Sequence, residues 1–344
     1  MTDDARQAMS GSGGEAPPLV TAVIPVYNHE RYVEESLRSM IAQSYENIEL
    51  IVINDGSKDG SHEKVLGLVD ACRQRFRRFE YRNRENRGLT NTLNEALEWA
   101  QGEYLTALAS DDIALPQKVS LLVEALEKAG ETAAAAFGNA RIIDDDGREV
   151  VIDQREKVWA VGEGSGFDNY LDFRTDGGRA FNYRSAAFGT FPSLLRYNYL
   201  PAMSNVVRTA LVRAAGGWTV GNVSEDWEMW RKLSKERRFL YIDEPVALYR
   251  WHQSNSVKTM ATRLKQWSLA LLTQEKDYCR SNGLAHEWSE AYIELWLPVV
   301  MDRNVPLYRR FMNIDFVQLL EISPLLAMRV IRRAFRTIKG SGSP

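Results

Sequence analysis

Four short stretches carry side chains that could do chemistry together. EYLTALASDD, Glu103 to Asp112, ends an apolar run on a serine and two adjacent aspartates. Two carboxylates side by side repel unless a cation neutralises them, and a divalent ion with oxygen ligands does that well. NDGSKDGS at 54–61 places Asp55 in a tight turn. SEDWEMW at 224–230 sets Glu225 and Asp226 at a helix start, where the dipole favours their ionised form. YRWHQSNS at 249–256 contributes His252. The first stretch could hold a metal and a diphosphate, and a carboxylate of the third could take a proton. Each also has a plainer reading: a helix cap for Asp112, a turn for Asp55, an acidic first turn for Glu225 and Asp226, and an ordinary histidine for His252.

The elements around these residues decide between the readings. Val20–Val26 is a compact apolar run that predicts a strand, and Asn28 can cap a helix carrying Val33, Leu37, Met40 and Ile41. A strand at Ile48–Ile53 then delivers Asp55, and a single helix is expected to carry Val65, Val69, Cys72 and Phe76. A short strand near 79–81, the turn-like RENRG and a helix from Leu89 to Ala100 precede the strand Tyr104–Ala109. A helix from Pro116 to about Gly130, a strand at 133–137 and a DDDG turn between Ile142-Ile143 and Val150-Ile152 follow. Strand and helix in alternation predict an α/β fold with a mainly parallel sheet covered on both faces. In such a sheet ligands bind at the carboxyl ends of the strands, where Asp55 and Asp111 would both lie. That crevice could hold a nucleobase beside Tyr27, pair its polar edge with Asp55, and leave the diphosphate near the aspartates.

Residues 153–200 show no sustained period and are long for a structureless loop, which suggests a lid or substrate-binding insertion. A strand at 204–208, the SEDWEMW helix, and strands at 239–242 and 246–249 come next, and the pattern is helical beyond Val257. No G-x-G-x-x-G follows any strand, which argues against a dinucleotide-dependent dehydrogenase.

Composition narrows the field further. With 344 residues, 44% hydrophobic and 26% charged, the chain has the balance of a soluble globular protein. A net charge of −3 gives no overall attraction to nucleic acid. Two distant cysteines, Cys72 and Cys279, and four histidines argue against a Cys/His zinc site and for free thiols in a reducing compartment. Residues 1–18 read as a disordered leader, and no window is apolar enough to cross a bilayer. The expected location is the cytoplasm, with attachment to the membrane from that side as a further option.

Taken together, VIPVYNHERYVEESLRSMIAQSYENIELIVINDGSKDGS, ENRGLTNTLNEALEWAQGEYLTALASDD, GGWTVGNVSEDWEMWRKL and YRWHQSNS resemble the inverting nucleotide-sugar glycosyltransferases of family two, which have the GT-A fold. The resemblance covers most of residues 19–256, in four ordered blocks. It implies transfer of a sugar, of the hexosyl type, from a nucleoside diphosphate to an acceptor hydroxyl, with Mn2+ or Mg2+. It also implies a nucleotide-binding half at 19–112, an acceptor-side half at 113–256, and a helical extension at 257–344.

Residue by residue, Asp55 matches the aspartate that binds the nucleobase, with Pro25, Tyr27 and Glu30 nearby. Asp111 matches the last aspartate of the D-x-D motif, a metal and nucleotide contact, and Asp112 would lie by the donor sugar. Asp226 stands where the catalytic base is drawn, with Glu225 beside it, and His252 where a histidine helps hold metal or diphosphate. Two positions depart from the pattern: Ala109 replaces the first aspartate of D-x-D, and Asn54 stands where many members have another aspartate.

A uridine or thymidine diphosphate donor is expected over a guanosine one, because Asp55 should accept a hydrogen bond from a base edge that only some nucleobases offer. The acceptor would be a carbohydrate or a lipid-linked one, in assembly of a bacterial-type surface polysaccharide or glycolipid. A sugar-phosphate nucleotidyltransferase should have a glycine-rich, arginine-containing loop after the first strand, where this chain has Tyr27-Asn28-His29-Glu30. A non-catalytic nucleotide-sugar-binding protein is the remaining alternative. Near the end, Leu325, Met328, Ile331, Phe335 and Ile338 keep helical spacing among Arg329, Arg332, Arg333, Arg336 and Lys339. A basic amphipathic helix of that kind can lie on an anionic membrane or pack on the domain.

Overall fold

The structure is a computed structural model and describes residues 16–301. In chain order the elements are β1 (Val20–Val26), α1 (Val33–Ile41), β2 (Ile48–Asp55), α2 (Ser61–Leu66), α3 (Val69–Arg75), β3 (Arg78–Arg84), α4 (Leu89–Trp99), β4 (Tyr104–Ala107), β5 (Ile113–Ala114), α5 (Lys118–Ala129), β6 (Ala133–Ile143), β7 (Val150–Ile152) and β8 (Val158–Ala160). The second half continues with α6 (Tyr170–Thr175), α7 (Phe191–Arg196), β9 (Asn205–Arg208), α8 (Thr209–Ala214), α9 (Glu225–Glu236), β10 (Arg238–Arg250), α10 (Ser256–Thr259), α11 (Ala261–Gln274), α12 (Lys276–Ser281) and α13 (Ala285–Met301).

An eight-stranded sheet in the order β3-β2-β1-β4-β9-β6-β10-β5 forms the centre. β1 pairs in parallel with β2 and β4, β2 with β3, and β6 with β10; β9 and β5 run antiparallel to their neighbours. The sheet is therefore mixed but mostly parallel, as the alternating pattern predicts. Period-two alternation assigns side chains to its faces. Ala22, Ile24, Val26, Leu50 and Val52 meet α1, α2, α3 and α5 on one face, while Val23, Ile51, Ile53 and Leu105 meet α4, α8 and α9 on the other. Burial on both faces explains why β1 and β2 are apolar almost throughout.

Several boundaries differ from the sequence reading, each for a local reason. The expected single helix over 65–76 is two, broken at Gly67-Leu68, and Leu68 rather than Val69 turns inward. Glycine is a poor helix former. The two strands expected between 239 and 249 are one long β10, whose register slips around Pro245, a residue with no N–H for the ladder. β6 likewise runs to Ile143 without a break, and Gly138 permits this, since a Cβ there would lie 2.6 Å from Val246 Cγ2. The DDDG turn is present: Asp144 N donates to Arg148 O at 2.9 Å. The irregular 153–200 segment contains β8 and the two short helices α6 and α7. Helices α11 to α13 pack on α7 through Phe191 and Leu195, against Leu269, Leu272, Trp288 and Tyr292. Among the described residues no helix is long and apolar enough to cross a membrane. The expected basic helix at 325–339 lies outside the described residues.

Candidate active site

The carboxyl end of β1 builds the first wall. Asn28 takes a left-handed φ of 53° and ties two loops together. Its N–H donates to Ser57 Oγ at 2.9 Å, and its Oδ1 accepts from Lys58 N at 2.8 Å. It is thus a clamp between loops and not the expected cap, and α1 begins after Tyr32 with no side-chain cap. His29 N donates to Ser61 Oγ at 2.9 Å, and Glu30 accepts from Gly60 N. Tyr27 stands on this braced edge 48% exposed, beyond the half-buried Pro25.

Asp55 is buried at the end of β2 and already ionically held. Its Oδ1 accepts from the Arg84 guanidinium and from Arg87 N at 2.7 Å, and its Oδ2 from Gly88 N at 2.9 Å. Arg84 is braced in turn by Glu95 at 2.8 Å and Thr92 Oγ1 at 2.9 Å. Gly56, at φ 72°, lets the turn pass under this loop; a Cβ would lie 2.6 Å from Asn86 N. With a single bond, Oδ2 keeps a lone pair for a donor on a ligand. The RENRG string signals the turn, but nothing local marks Arg84 as the partner.

Asp111 follows β4 in a turn closed by Asp112 N donating to Ala109 O at 3.1 Å. The strand ends at Ala107, two residues earlier than expected. Asp111 Oδ2 lies 3.0 Å from His252 Nε2 and 3.7 Å from His29 Nε2. The other ring nitrogen of each histidine meets a hydroxyl at 2.8 Å, Ser254 for His252 and Ser110 for His29. A hydroxyl can donate or accept, so either imidazole can turn a lone pair or an N–H toward Asp111. Burial opposes charge on Asp111, yet the bond from His252 and the nearness of His29 hold its carboxyl below the usual range. His29, Tyr32 and Arg250 are members of this cluster that the sequence reading passes over. The buried Arg250 donates to Asp111 O at 2.9 Å, Asp144 O at 3.1 Å and Glu35 Oε2 at 2.5 Å, tying α1, the DDDG turn and the aspartates together.

Asp112 is a buried support behind Asp111. Its Oδ1 accepts from Arg250 N at 2.9 Å. Burial, then the Asp111 charge, push its carboxyl well up, while burial lowers the neighbouring Lys118 to about 7. It does not cap α5, which starts at Lys118 after β5.

A second carboxylate group opens α9, where Glu225 and Asp226 are half-buried at the first turn. Asp226 accepts from Asn198 Nδ2 at 3.2 and 3.1 Å and from Trp227 N at 2.7 Å. The helix dipole alone would favour charge here, but burial outweighs it: the Asp226 carboxyl is raised, with the amide of Asn198 and the charge of Arg174 opposing. Glu225 is raised to about 8, by burial and then by Asp226. Asp226 has the donors, so it carries the charge of the pair and Glu225 the proton. The buried Tyr170 senses both Asp226 and Asp112, and Tyr249, 5.1 Å from it, senses Asp111 and Asp112. The charges of both carboxylate groups thus reach this pair of tyrosines.

GT-A enzymes typically use a divalent ion, and the donor set can be tested for it. Among the described residues no three His, Cys, Asp or Glu side chains are gathered to enclose an ion. Asp111 and His252, one carboxylate and one imidazole, would hold an ion only with further oxygen donors supplied by a ligand.

Comparison with known proteins bears on the fold and the family. Glycosyl transferase family 2 matches residues 21–195. An uncharacterized glycosyltransferase of Rickettsia prowazekii is 35% identical over 266 residues, covering 75% of this chain and 74% of that protein. Another, from Rickettsia felis, is 38% identical over 38% of this chain, a match that spans 21% of its own greater length. Among solved structures, the mannosyltransferase PcManGT of Pyrobaculum calidifontis, in complex with GDP-Man and Mn2+, aligns with a TM-score of 0.52 at 17% identity, over 99% of this chain and 82% of that one. TarS 1–349 of S. aureus, in complex with UDP-GlcNAc, gives 0.51 at 15% identity, over 94% and 92%. At such identities these two speak for the GT-A fold alone, while the family match and the Rickettsia prowazekii relative carry more: the chain belongs to glycosyl transferase family 2.

Proposed function

We propose that this protein transfers a sugar, with inversion, from a nucleoside diphosphate donor to an acceptor hydroxyl, with a divalent ion, Mn2+ or Mg2+, at Asp111 and His252. The observation that supports this reading is the contrast between two carboxylate groups whose charges reach the same pair, Tyr170 and Tyr249: Asp111 bonded by His252 and held below its usual range, and Asp226 raised by burial. Residues 19–112 serve the nucleotide and 113–256 the acceptor. Tyr27 offers a ring face to the base and Asp55 Oδ2 accepts from its edge. Asp226 takes the acceptor's proton as its oxygen bonds the anomeric carbon, and the bond to the diphosphate breaks with its electron pair going to phosphate oxygen. An ion held by Asp111 and His252 would supply positive charge near that leaving group. Arg250 holds the Asp111 turn and the DDDG turn in place throughout.

Uracil and thymine present an imide N–H that suits an acceptor-only Asp55. Guanine presents donors too, and solved neighbours include one complex with a GDP-sugar and one with a UDP-sugar. Calorimetry of the free diphosphates separates the cases: UDP is expected to bind more tightly than GDP, and more tightly with Mn2+ than with EDTA. Tighter GDP binding would sink the uridine preference, and equal affinity with EDTA would sink the metal. The acceptor class proposed is a carbohydrate or a lipid-linked one, in bacterial surface polysaccharide or glycolipid assembly. A protein ending near Ser323 should keep UDP affinity and lose co-sedimentation with anionic vesicles if the basic helix touches membrane; unchanged co-sedimentation would remove that role.

A further inference from the structure

The residue that holds Asp226 is itself held from the far end of the chain. Asn198 sits two residues past α7, with its Nδ2 donating to both oxygens of Asp226 and its own Oδ1 buried without a hydrogen-bond partner among the described residues. An amide oxygen left unpaired in the interior is a cost that native structures rarely accept without a use for the other end of the group. The side chain is therefore placed by its backbone and by Asp226, with no second bond to steady it. Arg174 on α6 donates to Asn198 O at 3.2 Å.

What fixes that backbone is α7. Its Phe191 and Leu195 lie in a cluster with Leu269, Leu272, Trp288 and Tyr292 of α11 and α13. Arg196, at its end, pairs with Glu290 at 3.4 Å and with Glu294 of α13. Leu194 O accepts from Trp227 Nε1 at 2.6 Å, next to Asp226 itself. A continuous set of contacts thus runs from the helices after residue 260, through α7, to the proton acceptor.

We propose that Asn198 is the positioning residue for Asp226, and that α11 to α13 set its place through α7, so that the C-terminal helices are part of the transfer machinery. The proposal rests on Asp226 acting as base. Asn198 donates to the charged form and so favours it; its loss makes ionisation harder. The other groups facing Asp226 are Glu225 beside it and Arg174 and Tyr170 of α6.

The test is a carboxyl-carbon NMR titration of 13C-aspartate-labelled full-length protein, with Asp226→Asn identifying the Asp226 signal. Asn198→Ala should raise the Asp226 midpoint by about one pH unit, and Asn198→Gln by less. Arg196→Ala, which touches neither residue, should raise it in the same direction by a smaller amount, while Arg184→Ala, whose partner is the exposed Asp243, should leave it in place. An unmoved midpoint in folded Asn198→Ala overturns the positioning role. If that variant does not fold, Asn198→Gln decides on the same signal. A midpoint that moves with Asn198 but not with Arg196 overturns the part given to the C-terminal helices. Undiminished release of UDP from a UDP-sugar by Asp226→Asn would instead remove the base, with the titration result standing.

Discussion

The two walls of the crevice treat their carboxylates in opposite ways. On the side proposed for the nucleotide, Asp55 is surrounded by an arginine and two backbone N–H groups, and Asp111 by two imidazoles. On the side proposed for the acceptor, Asp226 has one amide, one N–H and the field of Arg174, too little to offset burial, and Glu225 has less. The first arrangement surrounds its carboxylates with fixed donors, as the proposed binding requires. The second keeps a proton within reach, as transfer requires.

The largest expected effect breaks the second wall. Asp226→Asn is nearly isosteric and should cost on the order of 10²–10⁴-fold in turnover with donor affinity nearly unchanged. Retained activity there, with loss in Glu225→Gln, would move the base one residue back. Breaking the first wall should show in binding: Asp111→Asn is expected to lower UDP affinity by roughly tenfold or more in Mn2+, and by little in EDTA, by calorimetry. A loss of equal size in EDTA would mean that the aspartate acts without an ion.

Two smaller effects sharpen the contrast. Since the Asp226 carboxyl is raised, turnover should fall as pH drops through a midpoint above the ordinary carboxylate range, and a midpoint near 4 would contradict its burial. Glu225 is raised to about 8, so the native state binds its proton more tightly than the unfolded chain does. Stability from this group is full below the unfolded value and lost as pH rises toward 8. Glu225→Gln should therefore raise the melting temperature more at pH 9 than at pH 5, read by calorimetric scans. A larger gain at pH 5 would reverse the assignment.

The same contrast explains what the sequence could show. The nucleotide wall is made by buried strands with short loops, so β1, β2, Asp55 and Asp111 follow from apolar runs that end in turn residues. The acceptor wall is made by distant pieces. Asn198 lies in a segment without period, and Arg250 gathers Glu35, Asp111 and Asp144 across more than a hundred residues of chain. No local spacing encodes those meetings. Asn28 shows the converse: its type and place fit a helix cap, but tertiary contact with Ser57 and Lys58 made it a clamp.

The central claim, that one wall binds and the other reacts, is tested most directly by titrating UDP into Asp111→Asn and Asp226→Asn in the presence of Mn2+. The account predicts that Asp226→Asn binds as the unaltered protein does and that Asp111→Asn binds much more weakly. Equal affinities in the two variants would contradict it.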